Sequence, residues 1–406
     1  MGSLRTRKSD MQEALVIGMG AVSALGIGLK AADTQLHAQH IEPHDLTRFQ
    51  SVLKLPVYEV PHPGRSDFPG GNALLWLEMA VEEALDKARL ACPEERERLR
   101  IGVCIGSTIL CQLHELEFCA KLRSGEKMAD ATPYRNYVDA SPAEWLKRKY
   151  SLDGPALTVS NACTSSADAL GIARFWLVAG QCDVAIAAGT DSLEIGPLDG
   201  FHALGVCDKT PCRPFDASRD GLNLGEGAAA VVLVRPDSDL LQGRCADIAF
   251  CGYGKTADAS HITQPLPSGE YLERAIQIAL ADAGVTSKDI GFVNAHGTGT
   301  EANDRVEGQT LARVFGPALR YHSTKALTGH ALGAAGALEF VFTALMLRRG
   351  VAVRSHHFEE LAPELSIPPL TVDTPFRERY AVSTSLAFGG SNTALVLRRR
   401  SECPLS

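Results

Sequence analysis

Short apolar runs alternate with stretches of helical periodicity along almost the whole chain, and this alternation limits its fold more than any other feature. Buried strands are predicted at residues 14–18, 100–107, 156–160, 183–189, 228–234, 245–253, 291–295, 381–385 and 393–398. Helices are predicted at 72–90, 269–284, 304–315 and 333–348, with a further long helix that ends at Val178. Alternating strands and helices indicate an α/β protein whose helices pack against mostly parallel sheets.

The same pattern divides the chain into two halves. Residues 235–244 are polar and turn-rich, so we predict an N-terminal half over residues 11–240 and a C-terminal half over residues 241–406. Residues 1–10 lack the apolar stretch of a signal peptide, and we expect them to be a disordered leader or a cloning remnant. Residues 109–150 are irregular and charged, which favours an inserted helical excursion.

Composition argues against several classes of protein. The chain is 45% hydrophobic, so it can bury a sizeable core, and its formal net charge is -8. An acidic chain is not expected to bind nucleic acid as its main partner. We find no apolar run of the length that a membrane span needs.

The 11 cysteines contain no C-x-x-C pair, so neither a disulfide framework nor a zinc site is expected. Free thiols favour a reducing cytoplasm. Most of the cysteines lie beside apolar residues and are interpreted as small core residues. The small-residue turn over residues 18–26 lacks the glycine spacing of a dinucleotide loop, which argues against that cofactor.

Cys163 lies where a strand ends and a long helix begins. A helix N-terminus lowers the pKa of a nearby thiol, so this position favours a thiolate. The neighbours are small enough to leave room for a substrate: Ala162, Thr164, Ser165 and Ser166. From this segment alone, an inert cysteine buried at a strand–helix junction is an equal alternative.

Three later segments contain further candidate catalytic groups. His296 directly follows an apolar strand, in a glycine loop with the hydroxyls of Thr298 and Thr300. Loops at strand ends often contain catalytic side chains. Lys325 and His330 lie five residues apart, before a helix on which Glu339 could pair with the lysine. The alternative for the first of these segments is a histidine that caps a loop, and the alternative for the second is a surface lysine and a loop histidine.

The fourth segment is Ser385–Asn392, in which Phe388 precedes a pair of glycines. An aromatic residue in this place can swing, and its backbone N–H is free to donate a hydrogen bond. The alternative interpretation is an ordinary hairpin turn.

Together and in this order, the four segments resemble the β-ketoacyl-[acyl-carrier-protein] synthases of the thiolase-like superfamily, from about Leu15 to Arg398. Further stretches support the resemblance: residues 18–23, 212–216, 219–221 and 225–227. The resemblance implies a layered α-β-α-β-α fold built from two similar halves.

The resemblance also implies roles for these residues. Cys163 would take an acyl chain from a carrier-protein thioester, and the N–H groups of Cys163 and Phe388 would form the oxyanion hole. His296 and His330 would assist decarboxylation of a malonyl thioester and stabilise its enolate. The remaining roles are electrostatic tuning of the histidines by Lys325 with Glu339, binding of the phosphopantetheine arm by Thr298 and Thr300, and gating by Phe388.

No metal or separate cofactor is implied, since the carrier protein supplies the phosphopantetheine arm. The expected partners are acyl carrier protein and a second subunit, either a copy of this chain or a similar ketosynthase-like protein. Candidate docking residues for the acidic carrier are Lys121, Arg123 and Lys127, although a charged run is usually only a solvated face.

Related enzymes narrow the interpretation. Thiolases use a second cysteine as base, whereas this chain has Phe388 in that late segment, and initiating synthases pair one histidine with asparagine, whereas this chain has two histidines. We therefore expect an elongating enzyme in fatty-acid or fatty-acid-like type II polyketide or polyene biosynthesis. Two alternatives remain: a non-catalytic partner subunit of a heterodimeric synthase, and a CoA-dependent thiolase-type acyltransferase.

Three positions depart from the usual family pattern. Ala387 stands where relatives have glycine, and Thr384 stands where they often have asparagine. These changes would stiffen or reshape the gate. Ile109 corresponds to the wall of the acyl pocket, in a bulkier run than is common there, so chain length could be restricted.

Overall fold

The structure is a computed structural model, and it describes residues 13–38, 41–64, 71–109, 123–125, 141–244 and 246–400. The predicted leader at residues 1–10 and most of the predicted excursion at 109–150 lie outside these ranges. Within the described part of 109–150, a helix covers Pro142–Tyr150.

The strands of the described residues are, in chain order, β1 (Ala14–Ser23), β2 (Gly26–Ile27), β3 (His44–Asp45), β4 (Pro56–Val57), β5 (Ile101–Gly106), β6 (Ala156–Val159), β7 (Val184–Asp191), β8 (Gly227–Val234), β9 (Ile248–Ala257), β10 (Ile290–Asn294), β11 (Tyr321–His322), β12 (Val351–Ala352), β13 (Thr374–Pro375), β14 (Tyr380–Ala387) and β15 (Ser391–Arg399). The helices are α1 (Leu29–Leu36), α2 (Gly71–Lys87), α3 (Pro93–Arg96), α4 (Pro142–Tyr150), α5 (Ser165–Val178), α6 (Ile195–Ala203), α7 (Glu270–Ala283), α8 (Glu301–Phe315), α9 (Lys325–Thr328) and α10 (Ala335–Arg349).

One large sheet dominates the described residues, in the strand order β11-β10-β14-β15-β9-β1-β8-β7-β5-β6, with β2 paired to β1. The strands β1-β8-β7-β5-β6 occupy the same relative places in their half of the sheet as the strands β9-β15-β14-β10-β11 do in the other half. When the strands of each set are counted along the chain, the first pairs antiparallel with the fifth, and the fourth pairs parallel with the second. The two sets meet where β1 pairs antiparallel with β9. The strand order therefore shows the two similar halves of the predicted fold.

Helices lie on both sides of each half, which produces the layered architecture. Helices α5 and α10 pack against each other and contact strands of both halves, so they form the central layer. Helix α2 covers β1, β7 and β8 from outside, and helix α7 covers β9 and β15. Helix α10 is buried along almost its whole length, from Ala335 to Leu347. The predicted α-β-α-β-α layering is confirmed.

The prediction of mostly parallel strands is wrong, because the sheet is mixed. Strand β7, whose apolar faces suggested a parallel central strand, is parallel to β5 but antiparallel to β8. Its residues are all buried because helices cover both faces of the sheet. A continuous apolar run in the sequence indicates that both faces of the strand are covered. It does not indicate whether the strand is parallel or antiparallel to its neighbours.

Candidate active site

Cys163 lies in a tight turn between β6 and α5. The residue before it, Ala162, has a positive φ of 47°, which is uncommon for a residue with a side chain. The turn is held by Ser165, whose N–H and hydroxyl both donate to the Ala162 carbonyl, at 3.1 and 2.6 Å. This conformation places the sulfur at the start of α5 in a buried position, with 5% of the residue exposed.

Two glycines let the first turn of α5 lie directly on the sheet. A Cβ at Gly106 would come within 2.2 Å of the Ser166 nitrogen, and one at Gly189 within 2.3 Å of the Ser166 side chain. Real Cβ atoms do not approach so closely, so only glycine permits this contact. The nucleophile turn is therefore supported by the ends of β5 and β7.

His296 follows β10 in a loop that two buried carboxylates of α8 hold in place. Glu307 accepts from the N–H groups of His296 and Gly297, both at 2.8 Å. Asp304 accepts from the N–H of Thr298 at 3.1 Å and from the Phe215 N–H at 2.7 Å. Sequence reasoning missed both acids, although their spacing of three residues at the start of a helix places them on one face.

Lys325 and Glu339 form a buried ion pair behind His296. The Lys325 ammonium donates to a Glu339 carboxylate oxygen, to the His296 carbonyl at 2.8 Å and to the His296 Nδ1 at 3.1 Å. An ammonium has three protons and no acceptor, so these contacts use all of its donors. Because Nδ1 of His296 accepts, its proton lies on Nε2.

His330 contacts Cys163 and faces His296. Its Nε2 is 2.9 Å from the Cys163 sulfur. The two imidazole rings are 5.3 Å apart at an interplanar angle of 87°. Two histidines from different loops of the C-terminal half therefore face a cysteine from the N-terminal half.

Burial makes both histidines neutral. Their pKa values lie well below the ordinary value, first because burial disfavours the charged imidazolium and second because Lys325 is nearby. Burial also raises the pKa of Glu339 to about 7, while Lys325 acts in the opposite direction. The site thus holds two neutral imidazoles at pH 7.

The pKa of the Cys163 thiol is higher than its place at a helix N-terminus led us to expect. Burial raises the pKa of Cys163 to about 12, and the opposing effects of Lys325 and of the Phe388 N–H are smaller. Desolvation of the thiolate outweighs the positive groups around it. In the free site the cysteine is therefore a thiol whose proton must leave as it attacks.

Phe388 contacts the nucleophile through its backbone and the cleft through its ring. Its backbone N–H faces the Cys163 sulfur and acts to lower the pKa of that thiol. Its ring stacks on Phe201 of α6, with centroids 5.5 Å apart, and Phe201 lies edge-on to His330 at 6.4 Å. Phe201 was missed in the sequence, where a lone phenylalanine on a short helix has no distinctive signal.

A cleft of about 470 Å³ opens onto these groups. Of the predicted site residues, those that line it are Cys163, His296, Thr298, Thr300, His330 and Phe388. The hydroxyls of Thr298 and Thr300 are 2.9 Å apart on its wall. Lys325 and Glu339 are not part of the lining. Lys325 contacts His296, and Glu339 contacts Lys325.

Ile109 lies outside the cleft lining. It packs on an apolar cluster that includes Leu193, Leu198 and Leu332, and Phe201 joins the same cluster. Its N–H donates to the buried carboxylate of Asp191 at 3.2 Å. The predicted acyl-pocket residue thus packs on the same apolar cluster as Phe201, which lines the cleft.

Two departures from the family pattern and the predicted docking residues can also be placed. Thr384 donates its hydroxyl to Glu307 at 2.7 Å, so it supports the His296 loop. Ala387 lines the cleft beside Phe388. Of the docking residues, Arg123 is exposed, while Lys121 and Lys127 lie outside the described residues.

Within the described ranges, no group of three or more histidine, cysteine, aspartate or glutamate side chains could hold a metal ion. The helices of the same ranges include none with the length and apolar character needed to cross a membrane.

Comparison with known proteins adds to this geometry. Residues 72–238 match the family described as "Beta-ketoacyl synthase, N-terminal domain", and residues 248–359 match "Beta-ketoacyl synthase, C-terminal domain". The chain is 33% identical to 3-oxoacyl-[acyl-carrier-protein] synthase 2 of Rhizobium meliloti, over 96% of this chain and 99% of that protein.

Solved structures are similar over the same extent. A β-ketoacyl synthase from Burkholderia phymatum has a TM-score of 0.87 and 30% identity, covering 96% of this chain and 100% of that one. A ketosynthase from Xenorhabdus doucetiae, solved in complex with its chain length factor, has a TM-score of 0.82 and 29% identity, covering 96% of this chain and 98% of that one.

Proposed function

Because the chain belongs to the β-ketoacyl synthase family, we propose that Cys163 holds the acyl chain during a decarboxylative Claisen condensation with malonyl-[acyl-carrier-protein]. The chain is an acyltransferase of the 3-oxoacyl-[acyl-carrier-protein] synthase class. The observation that supports the proposed role most strongly is the 2.9 Å contact between the Cys163 sulfur and Nε2 of His330. A thiol beside a neutral imidazole is the usual arrangement of an activated cysteine nucleophile.

In the first half-reaction, the Cys163 sulfur attacks the carbonyl carbon of the acyl thioester. The neutral His330 accepts the thiol proton at Nε2, which offsets the raised pKa of the cysteine. The N–H groups of Cys163 and Phe388 stabilise the tetrahedral oxyanion. The carbon–sulfur bond to pantetheine then breaks, the proton passes to the departing sulfur, and the acyl group remains on Cys163.

In the second half-reaction, the malonyl thioester loses carbon dioxide, and the electrons of that carbon–carbon bond form an enolate. His296 has its proton on Nε2 and donates it as a hydrogen bond to the enolate oxygen. His330 does the same in the tautomer that has its proton on Nε2. The enolate carbon attacks the acyl-Cys163 carbonyl, and the carbon–sulfur bond to Cys163 breaks. The Cys163 thiolate takes up a proton from solvent to become the thiol again, and a 3-oxoacyl thioester is released.

In this scheme the buried Lys325–Glu339 pair sets the tautomer of His296, and Lys325 adds to the effect of burial on the charge state of both histidines. The Lys325 ammonium donates to Nδ1 of His296 and lowers the pKa of both histidines. Neutral imidazole is a hydrogen-bond donor that needs no counter-charge, which suits stabilisation of a developing enolate in a buried site.

The carrier protein brings the phosphopantetheine arm, and no other cofactor is required by this chemistry. Thr298 and Thr300, whose hydroxyls lie on the wall of the cleft, would hydrogen-bond the arm. Phe388 would gate the entry of the second substrate, since its ring stacks on Phe201 and both residues line the cleft. The free cysteines of the described residues fit a protein of the reducing cytoplasm, which is the location that we propose.

The second partner is another ketosynthase-like subunit. The X. doucetiae ketosynthase was solved with a chain length factor, so a heterodimer is one possibility and a homodimer is the other. Strand β6 ends the described sheet, and its residue Leu157 is 42% exposed. We propose that this edge takes part in the subunit contact.

The test is condensation of acyl- and malonyl-carrier protein by the purified protein, followed by mass spectrometry of the 3-oxoacyl product. Cys163→Ala is expected to abolish condensation, because the acyl chain then has no covalent site. Intact-protein mass spectrometry should show an acyl adduct on wild type and none on the variant. Full condensation by Cys163→Ala would overturn the mechanism.

The same experiment separates the two alternative functions. A non-catalytic partner subunit would form no acyl adduct on Cys163, even when activity appears in a complex with another synthase. A thiolase-type enzyme would turn over CoA thioesters as well as carrier-bound ones. Products of increasing chain length from malonyl-carrier protein would support the elongating enzyme, in either fatty-acid or polyketide biosynthesis.

A further inference from the structure

A buried carboxylate outside the described catalytic set connects the nucleophile turn with the strand that follows the gate. Asp168 lies in the first turn of α5 and is 1% exposed. Its two oxygens accept hydrogen bonds from five side chains in three segments of the chain: Asn161 Nδ2 at 2.7 Å, Thr164 Oγ1 at 3.2 Å, Tyr253 OH at 3.0 Å, Thr393 Oγ1 at 2.9 Å and Lys255 Nζ.

On one side, this carboxylate holds the residues that flank the nucleophile. Asn161 stands two residues before Cys163, and Thr164 stands directly after it. Asn161 also donates to the Thr164 hydroxyl at 2.9 Å, so both ends of the turn share one set of hydrogen bonds. The position of the Cys163 N–H therefore depends on this set.

On the other side, the same residues reach the segment after Phe388. Asn161 Nδ2 donates to the Ser391 hydroxyl at 3.0 Å, and Thr164 Oγ1 contacts it at 3.2 Å. Ser391 begins β15, three residues after Phe388, and Thr393 of the same strand donates directly to Asp168. The backbone N–H of Phe388 is thus tied to the nucleophile turn through β15.

Strand β9 supplies the counter-charge and a rigid support. Lys255 pairs with Asp168, and its side chain is 39% exposed while that of Asp168 is 1% exposed. The Tyr253 ring lies against α5 at Gly171, where an added Cβ would come within 2.6 Å of the ring. The carboxylate is therefore charge-balanced and held from a third direction.

We propose that Asp168 is a positioning residue that keeps the two N–H donors of the oxyanion hole, those of Cys163 and Phe388, in register. The two donors lie in segments far apart in the chain, so a shared partner is needed to fix their separation. Oxyanion stabilisation requires donors about 2.7–3.1 Å from the developing charge, and a displaced donor loses much of its effect. This inference rests on the function proposed above.

The experiment compares two reactions of Cys163 in Asp168→Asn and in wild type. Acylation by an acyl-carrier-protein thioester passes through an oxyanion, whereas alkylation by iodoacetamide does not. The asparagine keeps the shape but turns an amide N–H₂ towards donors. We expect acylation to slow by about 10-fold or more, within the ~10²–10³ range for complete loss of a donor, and alkylation to change by less than about threefold.

Two further variants complete the design. Thr393→Val removes the direct hydrogen bond from β15 to Asp168 and leaves the Ser391 contacts in place. It should also slow acylation selectively, which keeps the test open if Asp168→Asn fails to fold. Asp247→Asn is the matched control, since Asp247 forms an ion pair with Arg348 that is remote from the cleft lining. The control should leave both rates unchanged.

The outcomes distinguish the possible failures. A selective loss of acylation in Thr393→Val or Asp168→Asn supports the positioning role. Parallel loss of acylation and alkylation would overturn it in favour of a purely structural role, and wild-type rates of both reactions would overturn it as well. If wild type is alkylated on Cys163 but never acylated, the proposed function itself fails.

Discussion

At the scale of single residues, burial decides the chemistry of the site more than charge does. Cys163, His296 and His330 are all shifted towards their neutral forms because water is excluded from them. The Lys325 ammonium donates one hydrogen bond to Glu339 and two to His296, at its Nδ1 and its carbonyl oxygen. In the proposed mechanism a neutral thiol beside a neutral imidazole begins catalysis by proton transfer, so the protonation state of His330 should control acylation.

The first prediction concerns pH. Because the pKa of His330 lies well below 6.5, acylation by wild type should stay nearly constant as pH falls through 6.5 and decline only at lower pH. Lys325→Met removes a positive charge that lowers this pKa, so His330 should protonate at a higher pH and the decline should begin earlier. Rapid-quench acylation rates between pH 5 and pH 8 measure both profiles.

The double variant Lys325→Met/Glu339→Gln controls for the buried carboxylate that the single change leaves unpaired. Its acid decline should fall between those of wild type and the single variant, since only burial then acts on His330. Identical profiles for all three proteins would show that the pair does not influence the imidazole.

The second prediction concerns chain length. Ile109→Ala should open space in the apolar cluster behind Phe201, and the product distribution should shift to longer acyl chains. Loss of a largely buried isoleucine side chain should cost about 1–3 kcal/mol of unfolding free energy, less than at a fully buried site. Mass spectrometry of the products and denaturant unfolding check the two parts. An unchanged product length would remove Ile109 from the acyl pocket.

At the scale of elements, loops that follow strands β6 and β10 position the site, and helices α5 and α8 fix those loops. The loop of His296 has few side-chain contacts of its own, and the carboxylates of Asp304 and Glu307 receive its N–H groups. Thr384 of β14 completes this arrangement by donating to Glu307. The loop is therefore as rigid as the helix that supports it.

The third prediction tests this support. Glu307→Gln replaces a carboxylate, which accepts from two backbone N–H groups and a hydroxyl, with an amide that has only one acceptor oxygen. The N–H₂ group of the new amide faces groups that are themselves hydrogen-bond donors. We expect a loss of about 1–3 kcal/mol in unfolding free energy, as for buried groups left without partners, and a lower kcat for condensation. Thr384→Val, which removes one hydroxyl, should cost less. Equal stability of Glu307→Gln and wild type would contradict the proposed support.

At the scale of the whole molecule, the repeated strand order brings the two halves together around helices α5 and α10. Cys163 comes from the first half, and His296, Lys325 and His330 come from the second, so neither half contains the complete site. The division at residues 240 and 241 stays a prediction, and it falls between strands β8 and β9. The chain as a whole is acidic, with a formal net charge of -8.

The fourth prediction concerns the acidic carrier. If Arg123 belongs to its docking site, Arg123→Glu should raise the KM for carrier-bound substrate and leave kcat unchanged, because only the encounter is affected. Arg274→Glu on the exposed face of α7 introduces the same charge change away from the cleft and serves as control. An equal KM for the two variants would remove Arg123 from the docking surface.

The fifth prediction concerns the second subunit. Leu157→Lys places a charge on the exposed edge strand β6 and should weaken the subunit contact, so light scattering should report a smaller mass than for wild type. Val372→Lys makes the same change at another exposed apolar residue, 64% exposed, and should keep the wild-type mass. A wild-type mass for Leu157→Lys would exclude this edge from the contact.

Much of the fold and the site could be predicted from local patterns. The periodicity of apolar residues predicted β5, α2, α7 and β10 within a few residues, because burial on one or both faces repeats with the geometry of each element. The strand-to-helix position of Cys163 and the loop of His296 were also readable. Strand direction could not be predicted, because β7 is apolar on both faces although one of its neighbours is parallel and the other is antiparallel.

By itself the sequence determined the order of elements, the local turn at Cys163 and the residue types available for catalysis. Only the tertiary structure decided which of them meet: the 2.9 Å contact of Cys163 with His330, the carboxylates under the His296 loop and the connections of Asp168. The reason is physical. Local periodicity in the sequence indicates which faces of an element are buried. The distances between remote segments depend on how the layers pack, and so does the desolvation that raises the pKa of Cys163.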